Sequence, residues 1–325
     1  MPALRLTAEA ARRLERARGT GRVHSAFARA VNVELDGSGW VSLHPPGPIP
    51  APFGIVCEPW VDGRGLAGAP VRVEADVIAV GDGFRVELGG AAVVDTTLPS
   101  LAPMPPVSRC LALADAADHA GRGLLPVMSA LLTGHATPTG ALSRVAGPAL
   151  ARLADATAAG DPDGCVCAAR PLLGLGPGLT PAGDDVLVGW LAGLRASGGR
   201  GRRLLAAVGR ELAAAAAERT GALSRAFLLA AVDGQAAEPV WAFVRQPDET
   251  RLRALLALGA SSGADLLAGY LLARHALELR ATRPSGPATP PVEAGMLPSG
   301  TRKLSSKAWA PPSDTEDATL TAVQA

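Results

Sequence analysis

The sequence predicts an α+β protein: a β-rich N-terminal domain with a short leading helix, then a larger α-helical domain. Three observations carry this. Between residues 31 and 98, short apolar or alternating runs are separated by glycine- and proline-rich breaks. From about Ser108 to about Arg280 the chain is rich in alanine and leucine at helical spacing. Residues 281–325 carry seven prolines in 45 positions with little periodicity, which predicts a disordered tail. The expected divisions are 1–104, 105–280 and 281–325.

The elements follow in order. Residues 7–18 read as a charged helix without an apolar core, so no secretory signal is expected there. Residues 31–35 and 40–43 flank an Asp36-Gly37-Ser38-Gly39 turn, and residues 71–80 and 84–88 flank Gly81-Asp82-Gly83, a hairpin signal. Proline-rich breaks fall at 45–52 and 99–106, the second marking the domain boundary. Asp161-Pro162-Asp163-Gly164 reads as a turn.

Composition removes several function classes. The 325 residues can bury a large core, and a net charge of +1 gives no reason to expect nucleic acid or an acidic membrane as partner. The only lysines are Lys303 and Lys307, leaving 29 arginines among the basic residues. The expected folded body therefore has no Schiff-base lysine and no P-loop lysine, while arginine remains as a fork for phosphate or carboxylate. Cys165-Val166-Cys167 is too short for a C-x₂-C zinc pair, and the four cysteines read as buried, reduced thiols. No two of the five histidines share a metal spacing. Apolar runs such as 186–194 are too short to cross a bilayer, so a soluble, cytoplasmic protein is expected.

The densest motif is Gly174-Leu175-Gly176-Pro177-Gly178-Leu179-Thr180-Pro181-Ala182-Gly183-Asp184-Asp185, directly before an apolar helical run. Alternate glycines strip side chains from a tight loop, Thr180 and Pro181 suit a helix cap and first position, and two carboxylates fall in the first turn. Such a loop offers backbone N–H groups to an anion. Asp184 and Asp185 suit a cation such as Mg²⁺, or a substrate's N–H groups. Helical spacing puts Asp184 in line with Leu187 and Leu191, and Asp185 on a face with Val188, Gly189 and Ala192.

The helical half repeats itself. Thr139-Gly-Ala-Leu-Ser-Arg144 recurs as Thr220-Gly-Ala-Leu-Ser-Arg225, Leu172–Gly176 as Leu255–Gly259, and Gly183-Asp-Asp185 as Gly263-Ala-Asp265, at offsets of 81, 83 and 80 residues. One three-residue insertion, Pro177-Gly178-Leu179, accounts for the change of offset. Duplication over 139–195 and 220–275 is the expectation. It places Asp185 and Asp265 at two converging helix starts facing one cleft, with Ser261, Ser262 and Gly263 beside the second. Thr220 and Ser224 form an i,i+4 hydroxyl pair. Arg225 reads equally as a phosphate or carboxylate fork and as a solvated surface arginine.

The run at 174–185, with Ser261-Ser-Gly-Ala-Asp265 downstream and Thr220 and Ser224 between, resembles the AllH family, whose members are named as a subunit of oxamate carbamoyltransferase. Residues 24–54 are similar in style. The resemblance implies carbamoyl transfer between carbamoyl phosphate and oxamate, in the direction of oxalurate breakdown within purine catabolism, together with separate partner subunits. On that chemistry the loop glycines suit a phosphate or carbonyl oxygen, the aspartates accept N–H bonds or hold Mg²⁺, and Arg225 grips a carboxylate. Two other readings stay open. One is a Mg²⁺-dependent hydrolase of a phosphorylated or ribosylated small molecule; the other is a non-catalytic binding or scaffold subunit.

Overall fold

The computed structural model describes residues 1–282 except 18, 118, 120, 136 and 137, so the tail expected over 281–325 lies outside the described residues beyond its first two positions. The chain opens with strand β1 (Ala3–Thr7), not with a helix. Five residues carry too little alternation to announce it. Thr7 then caps helix α1 (Ala8–Arg16), its hydroxyl oxygen accepting from the Ala10 N–H at 3.1 Å.

Eight strands follow: β2 (Thr20–Phe27), β3 (Ala30–Leu35), β4 (Gly39–His44), β5 (Gly54–Cys57), β6 (Pro70–Glu74), β7 (Val77–Val80), β8 (Phe84–Glu87) and β9 (Ala92–Val94). Among the described residues they form one sheet in the order β8-β7-β6-β2-β3-β4-β5-β1-β9. Pairing is antiparallel except between β4 and β5 and between β1 and β9. The hairpins about 36–39 and 81–83 form as the turn residues dictate. The run 71–80 is two strands rather than one. It reverses at Ala75-Asp76 so that Glu74 pairs with Val77, a glycine-free turn hidden inside a continuous alternating pattern.

Helices occupy the rest: α2 (Val107–Ala116), α3 (Leu125–Thr133), α4 (Ala141–Ala159), α5 (Pro162–Ala169), α6 (Ala182–Arg195), α7 (Gly198–Arg219), α8 (Ala222–Val232), α9 (Glu238–Arg245), α10 (Glu249–Leu256) and α11 (Ser262–Thr282). Asp161 begins α5 as its cap, accepting from the Gly164 N–H at 3.1 Å, so the expected turn at 161–164 is a helix start. Cys57, Cys110 and Cys165 are buried thiols, but Cys167 is exposed because it falls on the outer side of this short helix.

The helical core is built on α6 and α11. A side chain on Gly189 would overlap the Leu266 carbonyl oxygen, and one on Gly269 would overlap the Val186 carbonyl oxygen. The two backbones therefore touch at both glycines, and positions 80 residues apart make reciprocal contacts. Trp190 is fully buried beside this crossing and donates its indole N–H to Thr157 Oγ1 at 3.1 Å. Farther along α11, buried Arg274 donates to the carbonyls of Ala196 at 2.7 Å and Ala102 at 2.9 Å, tying the crossing to the segment that links sheet and helices.

Sheet and helices meet in one seam, within the compact unit Met1–Pro284. Arg5 of β1 pairs with Glu238 of α9 at 2.8 Å, and the same carboxylate accepts from the Ile49 N–H at 2.8 Å. Phe53 stands edge-on to Phe227 of α8 with ring centroids 5.0 Å apart. These contacts lay the proline-rich stretch 45–52 over the helical domain.

The α6–α11 contact leaves no volume for a methyl group. Gly269→Ala is expected to lower the unfolding free energy by about 1–3 kcal/mol or more, read as a shift in denaturant midpoint; an unchanged midpoint would remove this contact from its central place.

Candidate functional site

Helix α6 begins one residue later than the loop chemistry predicts. Pro181 occupies the cap and makes no side-chain capping bond, so Thr180 precedes the cap. This leaves the Thr180 hydroxyl available to the neighbouring carboxylate.

Asp184 and Asp185 are both buried, with opposite surroundings. Asp184 is completely enclosed, and its Oδ1 accepts from the Gly174 N–H at 2.9 Å. Its Oδ2 accepts from Ser224 Oγ at 2.8 Å and from Thr220 Oγ1. Gly174 reaches it with φ of 72°, a left-handed conformation that suits glycine. Gly174, Thr220 and Ser224 thus converge on the protein's own anion, and Asp184 clips the 174–181 loop and the start of α8 to α6. Gly183 packs against the Leu172 carbonyl, as Gly263 packs against that of Leu255.

Asp185 lies one residue, and therefore about 100°, further round the helix. It lines a cavity of about 140 Å³ together with Val188 and Ala192 of its own face. Thr180, Ser262 and Gln235 also line it, with the apolar side chains of Leu98, Phe227 and Val240, and with Pro50 and Pro52 from the sheet side. None of the lining residues is a lysine, arginine or histidine. Asp185 is only 6% exposed, and its Oδ2 has no hydrogen-bond partner in the protein. Burial pushes its carboxyl up to about 8; the charges of Asp265 and Asp184 push the same way, while the Ser262 and Thr180 hydroxyls hold it down.

Asp265 is fully buried but is not among the residues lining this cavity. Its Oδ1 accepts from the Leu124 N–H at 2.6 Å, which turns it toward the connection between α2 and α3. Burial raises its carboxyl to about 7 against the lowering effect of the Leu124 N–H and the Ser261 hydroxyl. The expected shared cleft is therefore a cavity with Asp185 in its wall and Asp265 facing the α2–α3 connection. Gly176, Gly178 and Arg225 also lie outside the lining, and Arg225 is exposed.

Gln235 is the residue the motif search passes over, because Asp233-Gly234-Gln235 has the look of a turn. It is 8% exposed, and its Nε2 donates to Thr97 Oγ1 at 3.1 Å. The Thr97 hydroxyl bonds to the Asp95 carboxylate and lowers that group. With its proton committed there, Thr97 offers Gln235 only an acceptor. Gln235 must therefore present its amino group to Thr97 and turn Oε1 away, and that buried oxygen has no partner in the protein.

Joint Mg²⁺ binding by Asp184 and Asp185 would oblige Asp184 to give up three donors. Among the described residues no group of three His, Cys, Asp or Glu side chains is placed to hold a metal ion.

A buried carboxyl thus lines a small, mainly apolar cavity at the seam between a mixed sheet and a helical domain. A family model described as oxamate carbamoyltransferase subunit AllH matches residues 172–274, and one described as the AllH family N-terminal domain matches residues 2–93. The chain belongs to the AllH family. Both matched segments supply residues lining the cavity, Pro50 and Pro52 from residues 2–93 and most of the others from residues 172–274. No curated protein and no solved structure matches the chain. Among the described residues no helix is long and apolar enough to cross a membrane.

The two neighbouring aspartates should separate in stability measurements. Asp184→Ala strands three donors and is expected to cost about 3 kcal/mol or more in denaturant unfolding. Asp185→Asn should behave differently, and its sign depends on pH. A carboxyl whose pKa rises from near 4 to about 8 on folding contributes stability present below the lower value and lost as pH climbs through the upper one. The melting temperature of Asp185→Asn relative to the parent protein should therefore rise between pH 5 and about pH 8 and level off above it; a flat difference would show that Asp185 is not protonated in the folded state.

Proposed function

We propose that this chain is the subunit of an oxamate carbamoyltransferase-type enzyme that seats the carbamoyl-bearing substrate beside Asp185, in carbamoyl transfer between carbamoyl phosphate and oxamate. One observation carries the reading: a buried carboxyl with an unpartnered oxygen stands in the wall of a cavity of about 140 Å³. A dry cavity near 150 Å³ accommodates a ligand of benzene's size, which is the scale of oxamate or a carbamoyl group. Family membership supplies the reaction class.

In the direction of oxalurate breakdown, a phosphate oxygen attacks the carbamoyl carbon, the C–N bond breaks, and the departing oxamate nitrogen gains a proton. A carboxyl with a pKa of about 8 is protonated at neutral pH and is suited to give that proton. In the reverse direction the same group takes it back. The phosphate and the oxamate carboxylate both need cations, and the cavity walls hold none. On this reading the cations come from partner subunits, and the chain completes an active site it does not hold alone. The unbridged cysteines accord with a cytoplasmic location.

The test is phosphate release from carbamoyl phosphate with oxamate present, measured for the chain alone and reconstituted with its partner subunits. Activity is expected only in the complex, and Asp185→Asn should lower it by roughly 10²-fold or more while the complex still assembles. Turnover by the isolated chain, or an undiminished rate with Asp185→Asn, would overturn the proposal.

A further inference from the structure

The cavity that Asp185 lines has a direction. Asp184 accepts from Ser224, which sets the start of α6 beside the start of α8. At the other end, Arg195 donates its Nε to the Leu98 carbonyl at 3.1 Å and lies where a Gly234 side chain would stand. Leu98 is itself joined to Gly234, N–H to carbonyl, at 2.9 Å. Helices α6 and α8 therefore run side by side in one direction, and both supply lining residues. Asp185, Val188 and Ala192 mark the course of the cavity down α6, a rise of about 10 Å from first to last.

Its polar groups are unevenly spread. Among the described residues four lining side chains are polar: Thr180, Asp185, Ser262 and Gln235. The first three cluster at the helix starts, the two hydroxyls bonded to the carboxyl. Gln235 follows Gly234 at the far end, its amino group committed to Thr97 at 3.1 Å. The other lining side chains are hydrocarbon, among them Val188, Ala231 and Leu266. A charged or strongly hydrogen-bonding group set against them would lose its water without replacement. On the preceding reading the anionic ends of the substrates face partner subunits, which leaves this section unfilled. An apolar cavity of about 150 Å³ holds a benzene ring, whereas a carbamoyl head brings a single carbon.

We infer that the molecule seated beside Asp185 carries an uncharged hydrocarbon arm of about three or four carbons, lying along α6 and α8 as far as Ala192. Its polar head stays with Asp185, Thr180 and Ser262. This deepens the preceding proposal and rests on it for the placement of ligand beside Asp185, but not for the transfer chemistry. On it, the amide that accepts or yields the carbamoyl group belongs to a class of which oxamate is the armless member. Ala192 and Ala231 become specificity-determining residues, because their methyl groups leave the room that longer side chains would take.

N-Alkylureas hold the carbamoyl head constant while the arm grows, and their binding to the full chain at pH 7 is measurable by ligand-observed saturation-transfer NMR. Affinity should rise about threefold for each added CH₂ from methylurea to propylurea. Hexylurea should gain nothing over butylurea, having outgrown the space. Ala192→Leu fills the far end and should remove most of the advantage of propylurea over methylurea, with the melting transition confirming that the variant is folded. A flat or falling series would overturn the inference, as would an unbroken rise through hexylurea or a folded Ala192→Leu that keeps the full advantage. If that variant does not fold, the series on the unaltered chain decides. A rising series without phosphate release in the reconstituted complex would support this inference while ending the transferase proposal. Phosphate release with a flat series would do the reverse.

Discussion

Everything at the site depends on two helices touching backbone to backbone. Gly189 and Gly269 let α6 and α11 approach until each meets a carbonyl oxygen of the other. Any side chain there would hold the helices apart by the width of a methyl group, in a core too dense to absorb it. That approach brings the N-terminal turns of both helices together, and with them three aspartates. It also brings Ser262 and Gly259 to line the cavity that Asp185 lines. The burial that raises Asp185 and Asp265 follows from the same contact, since no water-filled gap separates the helices at their glycines.

Adjacent residues of identical chemistry are then given different duties by helix geometry alone. Asp184 is turned toward the glycine loop and the start of α8, where one amide and two hydroxyls give each of its oxygens a donor. It can hold the architecture because it is satisfied. Asp185 is turned through about 100° toward a space with few polar atoms, where the hydroxyls of Thr180 and Ser262 only partly offset the loss of water. A group left in this condition is a cost to folding, of the order of 1–3 kcal/mol for an unpaired polar atom, which a ligand donor would relieve.

Much of this was legible because it is periodic. The spacing of Asp185, Val188 and Ala192 puts them on one helical face, and they share one cavity wall. The hairpins at 36–39 and 81–83 follow from their glycines. What escaped has no local signature. Strand β1 is held in place by β5 and β9, partners some 50 and 85 residues away. The glycine loop reads as a cradle for an external anion, but Gly174 meets the carboxylate of Asp184 ten residues on, a closure that only the folded loop reveals. Gln235 owes its orientation to Thr97, on a segment far off in the chain. Asp265 shares a repeat with Asp185 yet faces Leu124, because the surroundings of the two helix starts differ even where the motif recurs.

The absence of cations from the cavity walls carries the last step of the argument. Carbamoyl transfer joins an uncharged amide group to substrates bearing phosphate and carboxylate, and these ends make contradictory demands on a site. The uncharged amide tolerates a dry, apolar pocket; the anions need arginine or lysine and tolerate water. Concentrating arginines beside Asp185 would draw its proton away and lower the carboxyl toward the ordinary range near 4, removing the acid that the departing nitrogen needs. Under the proposed function, positive charge held on another subunit would let each wall keep its own chemistry. A division of the active site between chains is, on this reading, a direct consequence of how Asp185 is kept protonated.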